Sequence, residues 1–301
     1  MKGLFLFVVC ALGCLNVSAG AWTLHNDTLV VKLSFFTQQT SYRYASSRIF
    51  CGDAECLNGQ HTTYLFSGRL ESYAGFLNLN YGITDKLEVL AQIPYYNISF
   101  IDEVDPNRAR TKAVGDLVFG ARYNFFMKPF VYTLKINSKA PTGFFNKDAE
   151  VVPVGDGQWD IQVVNQFGKS LYPIKGYVNV DLGYKVRFAP NPETSNLDPG
   201  DEIHLNAEVG YNVYAGLWAK MGVAGFWGQE FTASFANSEL QLSDSERRIL
   251  YLTPGIYWEI NPNWAFDLTI KYTLSGKNYP AGFVYGTGIA YKMRTRNKLK
   301  K

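Results

Sequence analysis

Apolar and polar residues alternate strictly along most of this chain, in stretches of about ten residues. Residues 178–188 show the pattern. Val178, Val180, Leu182, Tyr184, Val186 and Phe188 fall on one face, and Asn179, Asp181, Gly183, Lys185 and Arg187 on the other. A period of two belongs to an extended strand, whose successive side chains point to opposite sides. The same two-faced strand returns at Ile203, Leu205, Ala207, Val209, Tyr211 and Val213, set against His204, Asn206, Glu208 and Asn212. It returns again at Trp264, Phe266, Leu268, Ile270 and Tyr272, set against Asp267, Thr269, Lys271 and Thr273. A strand with one greasy and one charged face sits between a lipid-like phase and water. Repeated along a whole chain, this predicts an all-β fold, a transmembrane antiparallel up-and-down β-barrel.

The pattern predicts twelve strands, near 28–36, 64–82, 87–100, 115–126, 130–140, 159–171, 176–188, 202–214, 217–227, 249–260, 264–274 and 283–292. The spacers alternate in length. Those at 83–86, 127–129, 172–175, 215–216 and 261–263 are short; those near 37–63, 101–114, 141–158, 189–201 and 228–248 are long. Outer-membrane barrels have short periplasmic turns and long outer loops, and an even strand number returns both ends to the periplasmic side. Rings cluster beside the short spacers, at Tyr81, Phe125, Phe126, Phe130, Tyr172, Tyr177, Tyr214, Trp218, Trp258 and Trp264, where an interfacial belt is expected. Around 73–76 the second strand carries two competing phases.

Composition narrows the class further. A hydrophobic content of 47% is that of an ordinary soluble protein, and so is a mean hydropathy of −0.11. No apolar run of about twenty residues follows residue 19, as a helical membrane protein would need. A barrel escapes that requirement because half of each strand faces a polar lumen. Lys2, the apolar stretch Leu4 to Leu15 and the small-residue site Val17-Ser18-Ala19 predict a secretory signal over 1–19. The barrel is then expected over 20–291, followed by a basic periplasmic tail over 292–301. That tail holds six Lys or Arg and no acid, so the net charge of +3 is no argument for nucleic acid. Removal of Cys10 and Cys14 with the signal leaves Cys51 and Cys56, and an even pair in an exported chain predicts a disulfide. A thiol reagent is expected to label neither cysteine in the non-reduced, exported protein.

Motifs for catalysis are lacking. The chain has no Walker loop, no Cys-x-x-Cys and no His-Glu-x-x-His, and its three histidines are His25, His61 and His204. A barrel lipid hydrolase needs a serine beside a histidine. His204 is followed by Leu205 and Asn206, so this alternative would require a serine brought to His204 by the fold. No enzymatic activity, cofactor or metal is expected. The carboxylates of Asp198-Pro199-Gly200-Asp201-Glu202 and of Gly155-Asp156-Gly157-Gln158-Trp159-Asp160 match no complete calcium loop and are explained by turn chemistry.

The inward face is the candidate functional surface. Its pore-lining candidates are Lys135, Lys139, Asp160, Asp181, Lys185, Arg187, Glu208, Lys220, Asp267 and Lys271, joined by Glu88, Gln92, Arg122, Gln162 and Glu259. Two readings stay open: a water-filled pore with weak charge selectivity, or a salt-bridged plug whose loops do the work. Twelve strands lie between the filled eight-stranded barrel and the wide sixteen-stranded porin.

Four segments, in order, resemble a known family. They are Tyr81-Gly82-Ile83-Thr84-Asp85-Lys86-Leu87-Glu88-Val89; Gly115-Asp116-Leu117 with Gly120-Ala121-Arg122-Tyr123; Lys139-Ala140-Pro141-Thr142-Gly143; and Gly155-Asp156-Gly157 leading into Phe167-Gly168-Lys169. Together they are similar to the bacterial outer-membrane, transporter-like family labelled "meta-pathway of phenol degradation", over roughly 73–292. The resemblance implies an outer-membrane barrel and passive passage of small molecules, aromatic or hydrophobic ones included. It supplies no defined binding residues. Outer-membrane lipid, a small-molecule solute and the barrel-assembly machinery are the expected partners.

Overall fold

The structure, a computed structural model, describes residues 20–45, 59–104, 109–143, 152, 154–188, 197–235 and 238–294. Cys51, Cys56 and the expected signal segment lie outside these residues.

Period-two segments form the strands they predict. In chain order they are β1 (Thr28–Thr40), β2 (Arg69–Gly82), β3 (Leu87–Ile101), β4 (Leu117–Phe126), β5 (Val131–Ala140) and β6 (Asp160–Ser170). There follow β7 (Gly176–Arg187), β8 (Glu202–Tyr214), β9 (Leu217–Gly228), β10 (Arg248–Leu252 with Gly255–Glu259), β11 (Trp264–Lys277) and β12 (Phe283–Arg294). β10 is interrupted at Thr253-Pro254, since proline has no N–H to give the ladder. A segment that the sequence pattern missed, Ala109–Val114, pairs with the upper half of β3 and continues the line of β4 beyond Gly115-Asp116.

Every strand is antiparallel to its neighbours in the sequence, and the pairing of β1 with β12, from Thr28↔Arg294 to Thr37↔Tyr285, closes the sheet. Closure leaves no unpaired edge, which a backbone in hydrocarbon cannot tolerate. The short turns and the outer ends of β1 and β12 share one end of the barrel, so that end is periplasmic under the turn-length rule. Outward positions are the apolar ones, and Leu182, Val209, Leu268, Phe35 and Ile136 are all more than two-fifths exposed. The ambiguous stretch at 73–76 resolves with Tyr73 outward and Ala74 and Phe76 buried inside. Two members of the expected belt turn the other way: Tyr177 and Trp218 face the interior, 5.6 Å apart between ring centroids.

Two small sheets sit over the long-loop end. Tyr42–Tyr44 pairs with His61–Thr63 and Tyr279–Pro280, and Leu197–Asp198 and Ser238–Leu242 flank Phe231–Phe235.

Candidate functional site

The barrel interior has three parts, each traceable to local sequence. The first is the chain before β1. Residues 20–24 run inside the periplasmic half rather than away from it, Ala21 has no exposed surface, and His25 and Asn26 emerge at the rim. Arg122 donates to the carbonyls of Gly20 (3.0 Å) and Trp22 (2.9 Å). Thr133 Oγ1 donates to Ala21 O at 2.5 Å, and Leu24 N donates to Glu88 Oε2 at 2.8 Å. Arg122 and Glu88 also pair with each other at 2.7 Å, both side chains almost fully buried. Trp22 meets Tyr177 edge-on at 6.3 Å. Gly82 has no side chain where this segment crosses it; a Cβ there would lie 2.3 Å from His25 O. Asp85 accepts from Asn26 N at 2.9 Å. Gly82, Asp85, Glu88 and Arg122 all belong to the segments that carry the family resemblance.

The second part is an aromatic wall on β1–β3 and β9–β12. Phe36, Phe76 and Tyr96 form an edge-on run with centroid spacings of 5.7 and 5.9 Å. Across the interior, Tyr279 packs against Phe226 (5.7 Å) and Tyr251 (6.3 Å). Lys271 Nζ lies over the Phe36 and Tyr251 rings, 5.2 and 5.6 Å from their centroids, a cation–π arrangement. β12 makes room by being small inside. A Cβ on Gly286 would fall 2.3 Å from the Phe36 ring, and one on Gly288 would fall 2.5 Å from both Asp267 and Lys32. Across Gly288, Lys32 Nζ reaches Asp267 at 2.6 Å. Alternation alone does not announce this wall, because inward apolar residues read as lapses in the pattern.

The third part is an ionic wall on β4–β9. Lys139 contacts Asp116 (3.3 Å), Asp160 (2.9 Å) and Asp156. Arg187 contacts Asp156 (3.3 Å) and Glu202 (3.1 Å), and lies 3.9 Å from Asp160. Glu202 also takes Lys185 at 2.7 Å, His204 at 3.0 Å and Arg247 at 3.6 Å. Nearer the periplasm, Lys220 and Tyr177 both bond Glu208, at 3.1 and 2.5 Å. Gln166 donates to Asp181, and Lys135 is buried on the same wall. Asp116, outside the strands, accepts the amides of Gly143 (2.8 Å) and Asp156 (2.9 Å). Three of the family-like segments thus converge on Asp116.

All ten pore-lining candidates project inward, on both walls. Above the ionic wall lies a polar cavity of about 570 Å³ lined by Arg187, Asp198, Asp201, Gln229, Glu230 and Glu246, among others. The carboxylates read as turn chemistry therefore divide, Asp156 and Asp160 into the ionic wall and Asp198 and Asp201 onto this cavity. His204 bonds Glu202 and stacks on Phe226 at 5.6 Å. Among the described residues no group of three or more His, Cys, Asp or Glu is placed to hold a metal ion.

Solved structures share this architecture. An outer membrane channel from Pseudomonas putida F1 superposes with a TM-score of 0.74 at 17% identity, over 93% of this chain and 100% of that one. The β domain of a Bordetella autotransporter gives a TM-score of 0.51 at 9% identity, over 88% of this chain and all of that one. Both likenesses are of fold. Among curated proteins no sequence match is found. The model of one family, described as "Putative MetA-pathway of phenol degradation", matches residues 54–286, and the chain belongs to that family.

Proposed function

We propose that the protein is an outer-membrane channel through which small hydrophobic molecules, aromatic ones included, pass by diffusion. The observation that carries this reading is the aromatic wall inside the barrel. A pore for sugars or ions needs polar groups all round its lumen, whereas the inner faces of β1–β3, β9 and β10 carry Phe36, Phe76, Tyr96, Phe226 and Tyr251, packed with Tyr279 into one buried apolar cluster. The family description, with its reference to phenol degradation, points to the same class of solute. The likeness to a Pseudomonas putida outer membrane channel supports the barrel fold that such a channel needs.

Uptake of a labelled aromatic hydrocarbon and of a labelled disaccharide, in cells producing or lacking the protein, separates the readings. Hydrocarbon uptake should rise with the protein and disaccharide uptake should not. An equal rise in both would identify a general porin.

The ten inward charges serve the ion path in this reading. Lys220→Glu and Lys271→Glu are each expected to shift the reversal potential in planar bilayers toward cation preference, because pore charge sets the local counter-ion concentration. An unchanged reversal potential would remove those residues from the path. A hydrolase would need a serine at the ring of His204, and the bond seen there is from Nε2 to Glu202.

One observation favours a second reading, a barrel closed at rest: residues 20–24 occupy the periplasmic half of the lumen. The two readings are compatible if the segment moves.

A further inference from the structure

The end of the barrel bearing the short turns is ringed by exposed cations. Lys86 lies in the β2–β3 turn, Lys128 in the β4–β5 turn, Lys169 and Lys175 flank the β6–β7 turn, and Lys292 and Arg294 end β12. They come from three short turns and the end of β12, where Lys292 and Arg294 share the inward parity of Thr28 at the mouth of the barrel, so the positive charge belongs to the rim and not to one loop. The acids at the same end, among the described residues, are Asp27, Asp85 and Glu259. Two of those three are already engaged: Asp85 accepts from Asn26 N, and Asp27 accepts from the Tyr81 hydroxyl at 3.2 Å. Beyond Arg294 the sequence adds Arg296, Lys298, Lys300 and Lys301, and it has no acid after Asp267.

A collar of outward, exposed rings borders the same rim, with Phe125, Phe130, Tyr172, Tyr214, Trp258 and Trp264 at the strand ends. Such rings mark the depth at which hydrocarbon gives way to head groups. Lysine and arginine stems extend from that depth into the head-group layer. Cations placed just beyond an aromatic collar are therefore at the level of lipid phosphates.

We propose that this rim binds the anionic phospholipid head groups of the leaflet that surrounds it, making the barrel selective for acidic lipid on its periplasmic side. The proposal is independent of what passes through the lumen. A soluble anionic partner is disfavoured by the arrangement, because the cations are spread around the circumference beside the lipid-facing collar and are not gathered into a patch.

Tryptophan quenching by brominated lipid tests it. Trp258 and Trp264 report on the rim, while Trp22 and Trp218 face the lumen and are shielded from lipid. Trp159 and Trp227 lie toward the other end and are removed as Trp159→Phe and Trp227→Phe. The full chain in phosphatidylcholine vesicles, with either brominated phosphatidylglycerol or brominated phosphatidylcholine as the minor lipid, should be quenched preferentially by the acidic lipid. The expected preference is about fivefold or more, the factor contributed by one basic side chain at an anionic surface. It should fall to near unity when the six rim cations are changed to Gln, and in about 1 M salt, where charge is screened within a few ångströms. Equal quenching by the two lipids in the parent protein would overturn the proposal. So would a preference that survives high salt, a result that does not depend on the six-fold variant folding.

Discussion

Deleting residues 20–26 should raise single-channel conductance and speed solute entry while leaving the barrel folded. The segment contributes no rung to the sheet, whose first strand starts at Thr28. It is nonetheless held firmly. Arg122 gives two hydrogen bonds to its carbonyls, and Glu88 receives one from its backbone. Bonds to charged groups contribute about 1.5–3 kcal/mol each. Contacts of that size keep the segment in place in nearly all molecules at rest, so its removal changes the dominant state rather than a minor one. Arg122→Met should act differently. It loosens the segment, which keeps its bonds to Thr133 and Glu88, and leaves Glu88 without its cation; breaking a buried pair in this way costs about 3–5 kcal/mol. The deletion should therefore open the channel at little cost in stability, and the substitution should open it and also lower the denaturant midpoint. If conductance is unchanged by the deletion, the aromatic and ionic walls close the lumen by themselves and the barrel is a plug.

Arginine placed on the outer face should destabilise the barrel strongly, and arginine placed inside should not. Leu182, Val209 and Leu268 lie on three different strands at exposed outward positions. A guanidinium there must leave water for hydrocarbon, at about 2–4 kcal/mol near the midplane. Asn206, inward on β8 and only half-buried, should accept arginine with little change. Asn179 is equally inward but is no neutral control, because it packs against Gly20 of the N-terminal segment. Folding titrations into lipid vesicles measure the difference. Similar costs at the outward and inward sites would disprove the assignment of faces.

The alternation alone determined most of the faces and the twelve main strands, though not the paired segment Ala109–Val114. Side-chain parity along a strand is local chemistry: once Leu182 is outward, Asp181 and Gly183 must be inward, whatever the rest of the chain does. The alternation of spacer lengths was equally legible, and it oriented the barrel before any pairing was known. Where two phases competed, at 73–76, parity could not decide. Only the pairing of β2 with β1 and β3 put Ala74 and Phe76 inside.

Tertiary structure decided the partners. Lys32 and Asp267 stand 235 positions apart in the chain and meet because β1 closes on β12 across Gly288. Glu88 and Arg122 are both visible as inward charges, but their pairing follows from the neighbouring strands β3 and β4. The aromatic wall was hidden because each of its residues alone looks like a fault in the alternation, and only curvature brings them together. Tyr177 and Trp218 were read as belt residues on position along the strand, and they turn inward to meet Trp22 and Glu208. Residues 20–24 carry no periodic signal at all. Their place in the lumen depends on donors and acceptors supplied by three separate strands, a convergence that no local pattern encodes.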